Sequence, residues 1–286
     1  MHLIKRRKIF YILSLLVILA GVVSLFVQGL NLGIDFKGGS ILQYRLGDQA
    51  LTEDVNKLVS SKDFVQSVSV QKSEGDFYIR TPELNQEQTE ELTALLAEKY
   101  PEAQLLGAES VGATVGSELT RNAFLSLGLA TLLMLVYISL RFEWTFGISA
   151  VIGVSHDVLV VLGLFSIFQW EIDSAFIAAI LTVVGYSIND TIVIFDRIRE
   201  RLRANRREGR AELVDISIMQ TLNRSVNTVV TSLFPLVALF FLGGESIKIF
   251  VLVMLLGFIV GAYSSICVAG PVWYDINNAR SSSSKG

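Results

Sequence analysis

Six long apolar runs alternate with polar connections along the chain. They cover residues 9–27, 123–140, 146–168, 175–195, 227–242 and 249–270. Each run is long enough to cross the roughly 30 Å hydrocarbon core of a bilayer as a helix. The first run follows a basic start, as in a signal peptide, but it is too long for one and no cleavage pattern follows it. The pattern therefore predicts six helical membrane spans, the first of them retained.

The segment 31–120, between the first two runs, has the periodicity of a small α+β domain. Strand-like alternation covers 40–46, 64–71, 76–81 and 103–112, and helical period covers 52–61 and 84–100. Thr52 has the position of an N-cap for the first of these helices. The order βαββαβ predicts a ferredoxin-like domain inserted after the first span.

The glycine-rich stretch NLGIDFKGGS lies just before the first strand of that segment. A phosphate-binding loop would need a helix after its glycines, so that the helix amides face the anion. Because a strand follows instead, the nucleotide-binding interpretation is disfavoured. The stretch is predicted to be a turn, in which Gly33, Gly38 and Gly39 permit backbone angles that other residues avoid.

Composition agrees with a membrane protein, and the charges are strongly segregated. Hydrophobic residues make up 51% of the 286 and charged residues only 18%, which would leave a soluble domain short of polar surface. The segment 31–120 carries fifteen acidic and seven basic residues, whereas 5–8 is basic and 197–212 is rich in arginine. Basic loops remain cytoplasmic. We therefore expect both termini and the arginine-rich loop in the cytoplasm, and the acidic segment outside.

These patterns divide the chain into four parts. Residues 1–30 are the N-terminus and first span, and 31–120 the extracytoplasmic domain. Residues 121–270 are the other five spans with the loop 197–212, and 271–286 a cytoplasmic tail.

Two charged residues lie inside the fourth and fifth spans at comparable depths. Asp190 is on a helical face of small and polar residues, made of Ala175, Ala178, Ala179, Thr182, Gly185, Tyr186, Asn189 and Asp190. Arg224 is on a matching face of the fifth span with Gln220, Asn227, Thr228, Thr231 and Pro235. Polar residues avoid lipid, so both faces are predicted to contact other helices. Asp190 and Arg224 form either an ion pair that fixes helix register or a titrating pair in a transport cycle.

The third span carries a further polar pair, His156 and Asp157, near its middle. Two interpretations stay open for them: hydrogen bonds that pack the helices, or a secondary place in a proton path. In the sixth span, Gly257 and Gly261 form a GxxxG pattern, which indicates helix packing only.

Enzyme chemistry finds little support in the sequence. A zinc peptidase needs HExxH, and the only histidines are His2 and His156. The GYSIND context of Asp190 lacks the GxGD pattern of aspartyl intramembrane proteases, and a lone Cys267 allows no intrachain disulfide. We expect no enzyme activity, metal or cofactor.

Four segments resemble the SecF family, membrane subunits of the bacterial protein-export machinery. They are GIDFKGGS after the first span, HDV in the third, VVGYSINDTIVIFDRIRE in the fourth and TLNRS in the fifth. The resemblance covers nearly the whole chain, and GYSINDTIVIFDRIRE is its specific part.

The resemblance implies a six-helix bundle of the RND transporter type in the bacterial cytoplasmic (inner) membrane. It implies SecD as partner, association with the SecYEG channel, SecA, a preprotein and membrane lipid, with YajC as a further candidate and no nucleic acid. The pair would use the proton-motive force to assist late preprotein translocation. The family's membrane-embedded acid corresponds to Asp190 and its functional arginine to Arg224. A half-size RND-type transporter of lipids or small molecules is the alternative function.

Overall fold

The computed structural model of the chain describes residues 2–47, 49–73, 75–204 and 209–283. In chain order its elements are α1 Leu3–Val27, α2 Ile34–Lys37, β1 Gly39–Arg45, α3 Thr52–Val59, β2 Ser69–Ser73, β3 Asp76–Thr81, α4 Gln86–Lys99, β4 Gln104–Val111, α5 Ala113–Arg141, α6 Trp144–Phe168, α7 Ser174–Ala204, α8 Arg210–Leu242, α9 Glu245–Ser264, a π-helical turn Ser265–Ala269 and α10 Gly270–Ser283. They form two compact units, Leu32–Ala123 and the remainder of the chain.

Within the described ranges, six helices are long and apolar enough to span a membrane, which confirms the predicted number of spans. Their ends differ from the apolar runs. α7 continues to Ala204 and α8 begins at Arg210, so most of the predicted loop 197–212 is helical, and residues 205–208 lie outside the described ranges. Arginine and glutamate are good helix formers, so a helix continues past the point where its apolar run ends.

The last span is continuous from α9 into α10 through the π-helical turn. Pro271 follows that turn and has no amide hydrogen to donate, which accounts for a local change of hydrogen-bond pattern there. The helix therefore extends beyond residue 270, where the sequence predicted the tail to begin.

α1 and α6 cross with their backbones in contact. A Cβ placed on Gly21 would lie 2.6 Å from the Cα of Gly163, so neither position has room for a side chain. Close to the crossing, the hydroxyls of Ser24 and Ser166 are 2.8 Å apart and hydrogen-bonded. Small residues thus allow the close approach, and serines stabilise it within an apolar environment.

α9 packs against α7 through the predicted GxxxG pattern. A Cβ on Gly257 would lie 2.3 Å from a methyl group of Val183, and one on Gly261 would lie 3.1 Å from the Cβ of Ser187. The packing role predicted for the two glycines is confirmed.

The two ends of the chain meet at one end of this bundle. Asp215 on α8 accepts a hydrogen bond of 2.9 Å from the backbone amide of Ile4, in the first turn of α1. Asp275 on α10 accepts hydrogen bonds from Arg7 at 2.9 Å and from Tyr11 at 3.1 Å. A carboxylate at a helix N-terminus satisfies an amide that has no partner within the helix.

The unit Leu32–Ala123 holds a four-stranded sheet with the strand order β2-β3-β1-β4, in which every neighbouring pair is antiparallel. Its buried core combines residues of the sheet with residues of α3 and α4, among them Leu42, Tyr44, Val55, Val59, Phe77, Ile79, Leu92 and Leu96. The Tyr44 hydroxyl lies 2.7 Å from the Thr93 hydroxyl, and burial raises the pKa of Tyr44. A small antiparallel sheet is thereby confirmed.

Details of this unit correct the sequence prediction. Thr52 is the first residue of α3 and makes no cap; Leu51 precedes the helix. The capped helix is α4, where Asn85 accepts from the Gln88 amide and the Gln88 side chain accepts from the Asn85 amide. β2 begins at Ser69 rather than at residue 64.

The glycine-rich stretch is a turn around α2, as predicted, but only two of its glycines need their special freedom. Gly38 and Gly39 have φ angles of +77° and +134°. Gly33 has φ −70° and ψ 177°, which is extended backbone open to any residue. A Cβ on Gly39 would also lie 2.7 Å from the carbonyl oxygen of Thr81. Both the backbone angle and the lack of space therefore exclude larger residues at this position.

Candidate functional site

Asp190 is a half-buried carboxyl in the middle of α7. The Ser225 hydroxyl of α8 donates a hydrogen bond of 2.6 Å to its Oδ1. Its Oδ2 is buried and has no hydrogen-bond partner among the described residues. A buried oxygen left without a partner costs free energy, and at a functional position it marks a place where a proton or another group can bind.

Arg224 lies beside Asp190 without forming an ion pair with it. Both residues line a cavity of about 50 Å³, together with Tyr186, Asn189, Val193, Thr228 and Val229. Within the described ranges, no nitrogen of Arg224 comes within 4.0 Å of an Asp190 oxygen. A water needs about 15 Å³, so the cavity has room for water to bridge the two side chains.

A second, larger cavity of about 360 Å³ lies at the arginine-rich end of α7. It shares Val193 and Arg224 with the small cavity, and Asp196, Arg197 and Glu200 line its outer part. Arg224 therefore lies where the two cavities adjoin.

His156 and Asp157 form a separate polar cluster at the centre of the bundle. Asp157 is fully buried, and His156 Nδ1 lies 3.0 Å from its Oδ1. The hydroxyls of Ser187 and Ser264 donate to its Oδ2 at 2.6 Å and 2.9 Å. Three partners from α6, α7 and α9 hold this carboxyl, in contrast to the single partner of Asp190.

The cluster continues to α1 through one hydroxyl. Ser14 Oγ lies 3.0 Å from His156 Nε2 and 3.2 Å from the Tyr263 hydroxyl, which in turn donates to the carbonyl of Phe10 at 3.0 Å. A serine carries one hydroxyl proton, so Ser14 can donate to His156 or to Tyr263 but not to both. The hydrogen bonds of His156 and Tyr263 therefore depend on the same hydroxyl.

The His156–Asp157 pair and the Asp190–Arg224 pair involve different faces of α7. Ser187 binds the Asp157 cluster and Thr191 bonds to Ser265, whereas Asp190 faces Ser225 on α8. Among the described residues, no hydrogen bond connects Asp190 to Asp157. The structure brings together Asp190 with Arg224, and His156 with Asp157, but it does not join the pairs.

The small and polar face predicted on α7 is partly exposed within this chain, although Ala179 is buried and Tyr186 and Asp190 contact α8. On α7, Ala178, Thr182, Gly185 and Asn189 are exposed, and the apolar side predicted to lie opposite is buried, with Val184 as an example. The periodicity was correct, and the predicted contact of the small and polar face with other helices is met only in part within this chain. α8 contacts the small and polar side of α7 through the Asp190–Ser225 and Tyr186–Ser232 hydrogen bonds, and α9 packs close to Val183 and Ser187.

The polar face of α8 is open as well. Gln220, Arg224, Asn227, Thr228 and Thr231 are all exposed. A guanidinium inside a membrane span costs about 2.5 to 3.5 kcal/mol, so a helix does not turn one towards lipid without compensation. Exposed polar faces therefore lie side by side on the neighbouring helices α7 and α8.

Sequence reasoning missed the serines that hold the two acids. Ser225 and Ser187 lie one residue away from the predicted polar faces, and Ser14 and Ser264 lie in otherwise apolar runs. The signal that identifies them is a hydroxyl within hydrogen-bonding distance of a buried carboxylate or histidine, which depends on how the helices are paired rather than on one helix.

Comparisons with known proteins identify the family. The family model described as "Protein export membrane protein SecD/SecF, C-terminal" matches residues 91–279, and the "SecD/SecF GG Motif" matches residues 23–50, which include Gly38 and Gly39. Protein translocase subunit SecF from Sebaldella termitidis is 41% identical over 282 residues, covering 96% of this chain and 91% of that protein. The subunit of the same name from Haemophilus influenzae is 42% identical over 281 residues, covering 96% and 86%.

A solved structure agrees with these relatives. A crystal structure of SecDF, a translocon-associated membrane protein from Thermus thermophilus, superposes with a TM-score of 0.90 at 36% identity. The match covers 97% of this chain and 39% of that longer one. The protein translocase subunit SecDF of the same organism is 39% identical over 275 residues, which are 37% of its length. The chain therefore belongs to the SecD/SecF family of protein-export membrane proteins.

Proposed function

We propose that this chain is the SecF subunit of a Sec protein translocase and that Asp190 is its proton carrier. Relatives matched over most of their length carry the name of that subunit, which supports the first part. The observation that carries the second part is the buried Oδ2 of Asp190, which has no partner among the described residues. Ser225 holds the other oxygen at 2.6 Å, so the carboxyl is fixed in position while one oxygen remains open to a proton.

SecD is the proposed partner, and the exposed polar faces of α7 and α8 are its proposed contact surface. The Thermus thermophilus relative carries both names in one chain, of which this chain matches a little over a third. Covering Arg224 would remove its exposure to lipid, and an acid on SecD would neutralise it. SecYEG, SecA, YajC and the preprotein complete the assembly that we propose.

The remaining assignments concern architecture and location. We assign the RND-type arrangement to the six helices and a ferredoxin-like fold to the unit after α1, with domain divisions at 30, 120 and 270. The antiparallel order β2-β3-β1-β4 supports the ferredoxin-like assignment. The charge distribution supports a cytoplasmic position for both termini and for the arginine-rich segment 197–212, in the bacterial inner membrane.

The mechanism follows from opposing influences on one carboxyl. Burial favours the neutral form of Asp190, and the guanidinium of Arg224 favours the charged form, so a small rearrangement changes which form prevails. Protonation would weaken the attraction between Asp190 and Arg224 and allow α7 and α8 to shift. One charge moved through 100 mV gains about 2.3 kcal/mol, which is about fortyfold in an equilibrium constant. That is sufficient to bias two conformations.

We assign the His156–Asp157 cluster to helix packing rather than to proton transfer. Both oxygens of Asp157 are occupied by hydrogen bonds, and the side chain has no exposed surface. A carboxylate satisfied in this way holds three helices together, and it lacks the open oxygen that Asp190 has. No enzymatic step is proposed for either pair.

The test is preprotein release from vesicles that contain this chain, SecD and the translocon, with and without an imposed proton gradient. Asp190→Asn keeps the shape and can still accept from Ser225 but cannot take up a proton at the carboxyl. We expect it to assemble with SecD and to release preprotein at a rate that the gradient does not change. A half-size transporter would instead purify without SecD. If the Asp190→Asn variant responded to the gradient as the wild type does, the proposal that Asp190 carries the proton would be refuted.

A further inference from the structure

A basic groove lies at the end of α5 and α7, separate from the small cavity at Asp190. Its volume is about 480 Å³, and it is lined by Arg141, Asp196, Arg199, Glu200, Arg203 and Ala204. Arg141 is the last residue of α5, and the other five lining residues all lie beyond the apolar run of α7, which ends at residue 195. The groove is therefore at the depth of the lipid headgroups, whichever side of the membrane it faces.

Two of the three guanidiniums of the groove, those of Arg141 and Arg199, have contacts that hold them in place without neutralising them. Arg199 donates from Nη1 to the backbone carbonyl of Arg141 at 3.2 Å. The guanidinium carbons of Arg141 and Arg199 lie 5.3 Å and 5.4 Å from the centroid of the same ring, Phe142. Arg203 is one helical turn from Arg199 on α7. Across the described part of the chain, none of the three forms an ion pair with a carboxylate.

The acids of the groove do not cancel this charge. Glu200 is already paired with Arg197 at 2.5 Å, and Asp196 is exposed at the side of the groove shared with the larger cavity. Three guanidiniums thus face one unpaired carboxylate. Arginine presents a planar fork of donors that matches the oxygens of a phosphate.

Apolar surface continues from the groove along α5. Tyr137, one turn before Arg141, is 58% exposed, and Leu140 is 83% exposed. A free phosphate would use the guanidiniums alone, whereas a phospholipid would also cover this surface with its acyl chains. An acidic protein segment would meet the guanidiniums but would leave the apolar surface open to lipid.

We infer that the groove between α5 and α7 binds the headgroup of an anionic phospholipid. The phosphate lies among Arg141, Arg199 and Arg203, and the acyl chains lie along Tyr137 and Leu140. Basic pockets between membrane helices bind such headgroups because the guanidiniums remain in the interface while the chains stay in hydrocarbon. The inference does not depend on Asp190 or on the proposed proton transfer.

The test compares two lipids on the full-length chain in detergent. Phosphatidylglycerol and phosphatidylcholine with identical acyl chains are added in equal amounts, and native mass spectrometry counts the lipids that stay bound. We expect the wild type to retain phosphatidylglycerol preferentially. Each guanidinium contributes about 1 kcal/mol near a membrane surface, so Arg199→Gln and Arg203→Gln should each lower that preference by about fivefold.

Three controls keep the result interpretable. Arg121→Gln removes one exposed charge from the opposite end of α5 and should leave the preference unchanged. The double variant Arg199→Lys/Arg203→Lys keeps both positive charges and should retain most of the preference for phosphatidylglycerol. Thiol labelling of the buried Cys267 shows whether each variant is folded.

Three outcomes would overturn the inference. The wild type could bind the two lipids equally, or the glutamine variants could keep the full preference. Inorganic phosphate alone could displace phosphatidylglycerol and stabilise the chain to the same extent, which would assign the groove to a free anion instead.

Discussion

Replacing Gly21 by alanine adds one methyl group where α1 and α6 touch backbone to backbone. The added carbon would lie 2.6 Å from the Cα of Gly163, and ordinary contact between carbons begins near 3.4 Å. The helices must therefore separate locally by about 1 Å to restore a normal contact. The same movement would lengthen the 2.8 Å hydrogen bond between Ser24 and Ser166.

The expected cost follows from these contacts. Overpacking of this kind costs about 1 to 3 kcal/mol, and each kcal/mol lowers the Tm of a chain of this size by roughly 2 to 4 °C. Alanine is also a better helix former than glycine by about 1 kcal/mol, which offsets part of that cost. Gly128→Ala on α5 is the matched control, because a Cβ there has nothing within 4 Å. It gains the same helix propensity without the clash.

The assay uses the chain's single cysteine. Cys267 is buried, so a fluorescent maleimide labels it only as the bundle unfolds on heating. We expect Gly21→Ala to melt below the wild type and Gly128→Ala to melt at or above it. Gly163→Ala should add little to Gly21→Ala, since the first methyl already separates the helices. Equal melting of Gly21→Ala and Gly128→Ala would refute the backbone contact.

Three further predictions use independent features. Single cysteines at Ser73 and Ala204, in a chain without Cys267, should label from opposite sides of the membrane, and labelling of both from one side would contradict the proposed topology. Asp157→Asn should lower the Tm, since it disturbs a carboxylate with three hydrogen-bond partners, while gradient dependence persists in the protein that folds. Asn85→Ala removes a capping box worth about 1 kcal/mol, so amides in the first turn of α4 should exchange with deuterium about fivefold faster, and unchanged exchange would argue against the cap.

The number and type of spans could be predicted because length and apolarity alone decide them. The glycines at 257 and 261 could also be assigned, since a small pair at this spacing packs wherever two helices meet. The proximity of Asp190 and Arg224 could be predicted because both residues lie at a similar depth in consecutive spans. That depth is obtained by counting residues from the end of each span.

Which side of each helix packs against other helices of this chain could not be predicted, for a physical reason. Periodicity separates two sides of α7, but it does not say whether the covering helix belongs to this chain or to a partner. Val184 packs inside this chain, and Asn189 is left exposed. In lipid both small polar and apolar faces can be packed, so only the paired helices decide which one this chain covers.

Two smaller local features, the start of α3 and the π-helical turn, were not predicted from the sequence. Thr52 had a capping residue's type and position, but the chain enters α3 one residue earlier, with Leu51 before the helix. The π-helical turn before Pro271 left no mark in the apolar pattern, since it changes hydrogen bonding without changing hydropathy.

The central claim is that the carboxyl of Asp190 gains and loses the proton. Infrared difference spectroscopy measures it directly, since a protonated carboxyl in a membrane interior absorbs apart from a carboxylate. The chain would be reconstituted with SecD in vesicles and the pH changed on one side. We predict a protonated-carboxyl band that responds to this change in the wild type and in Asp157→Asn, and that is missing in Asp190→Asn. A responding band that persists unchanged in Asp190→Asn would contradict the account.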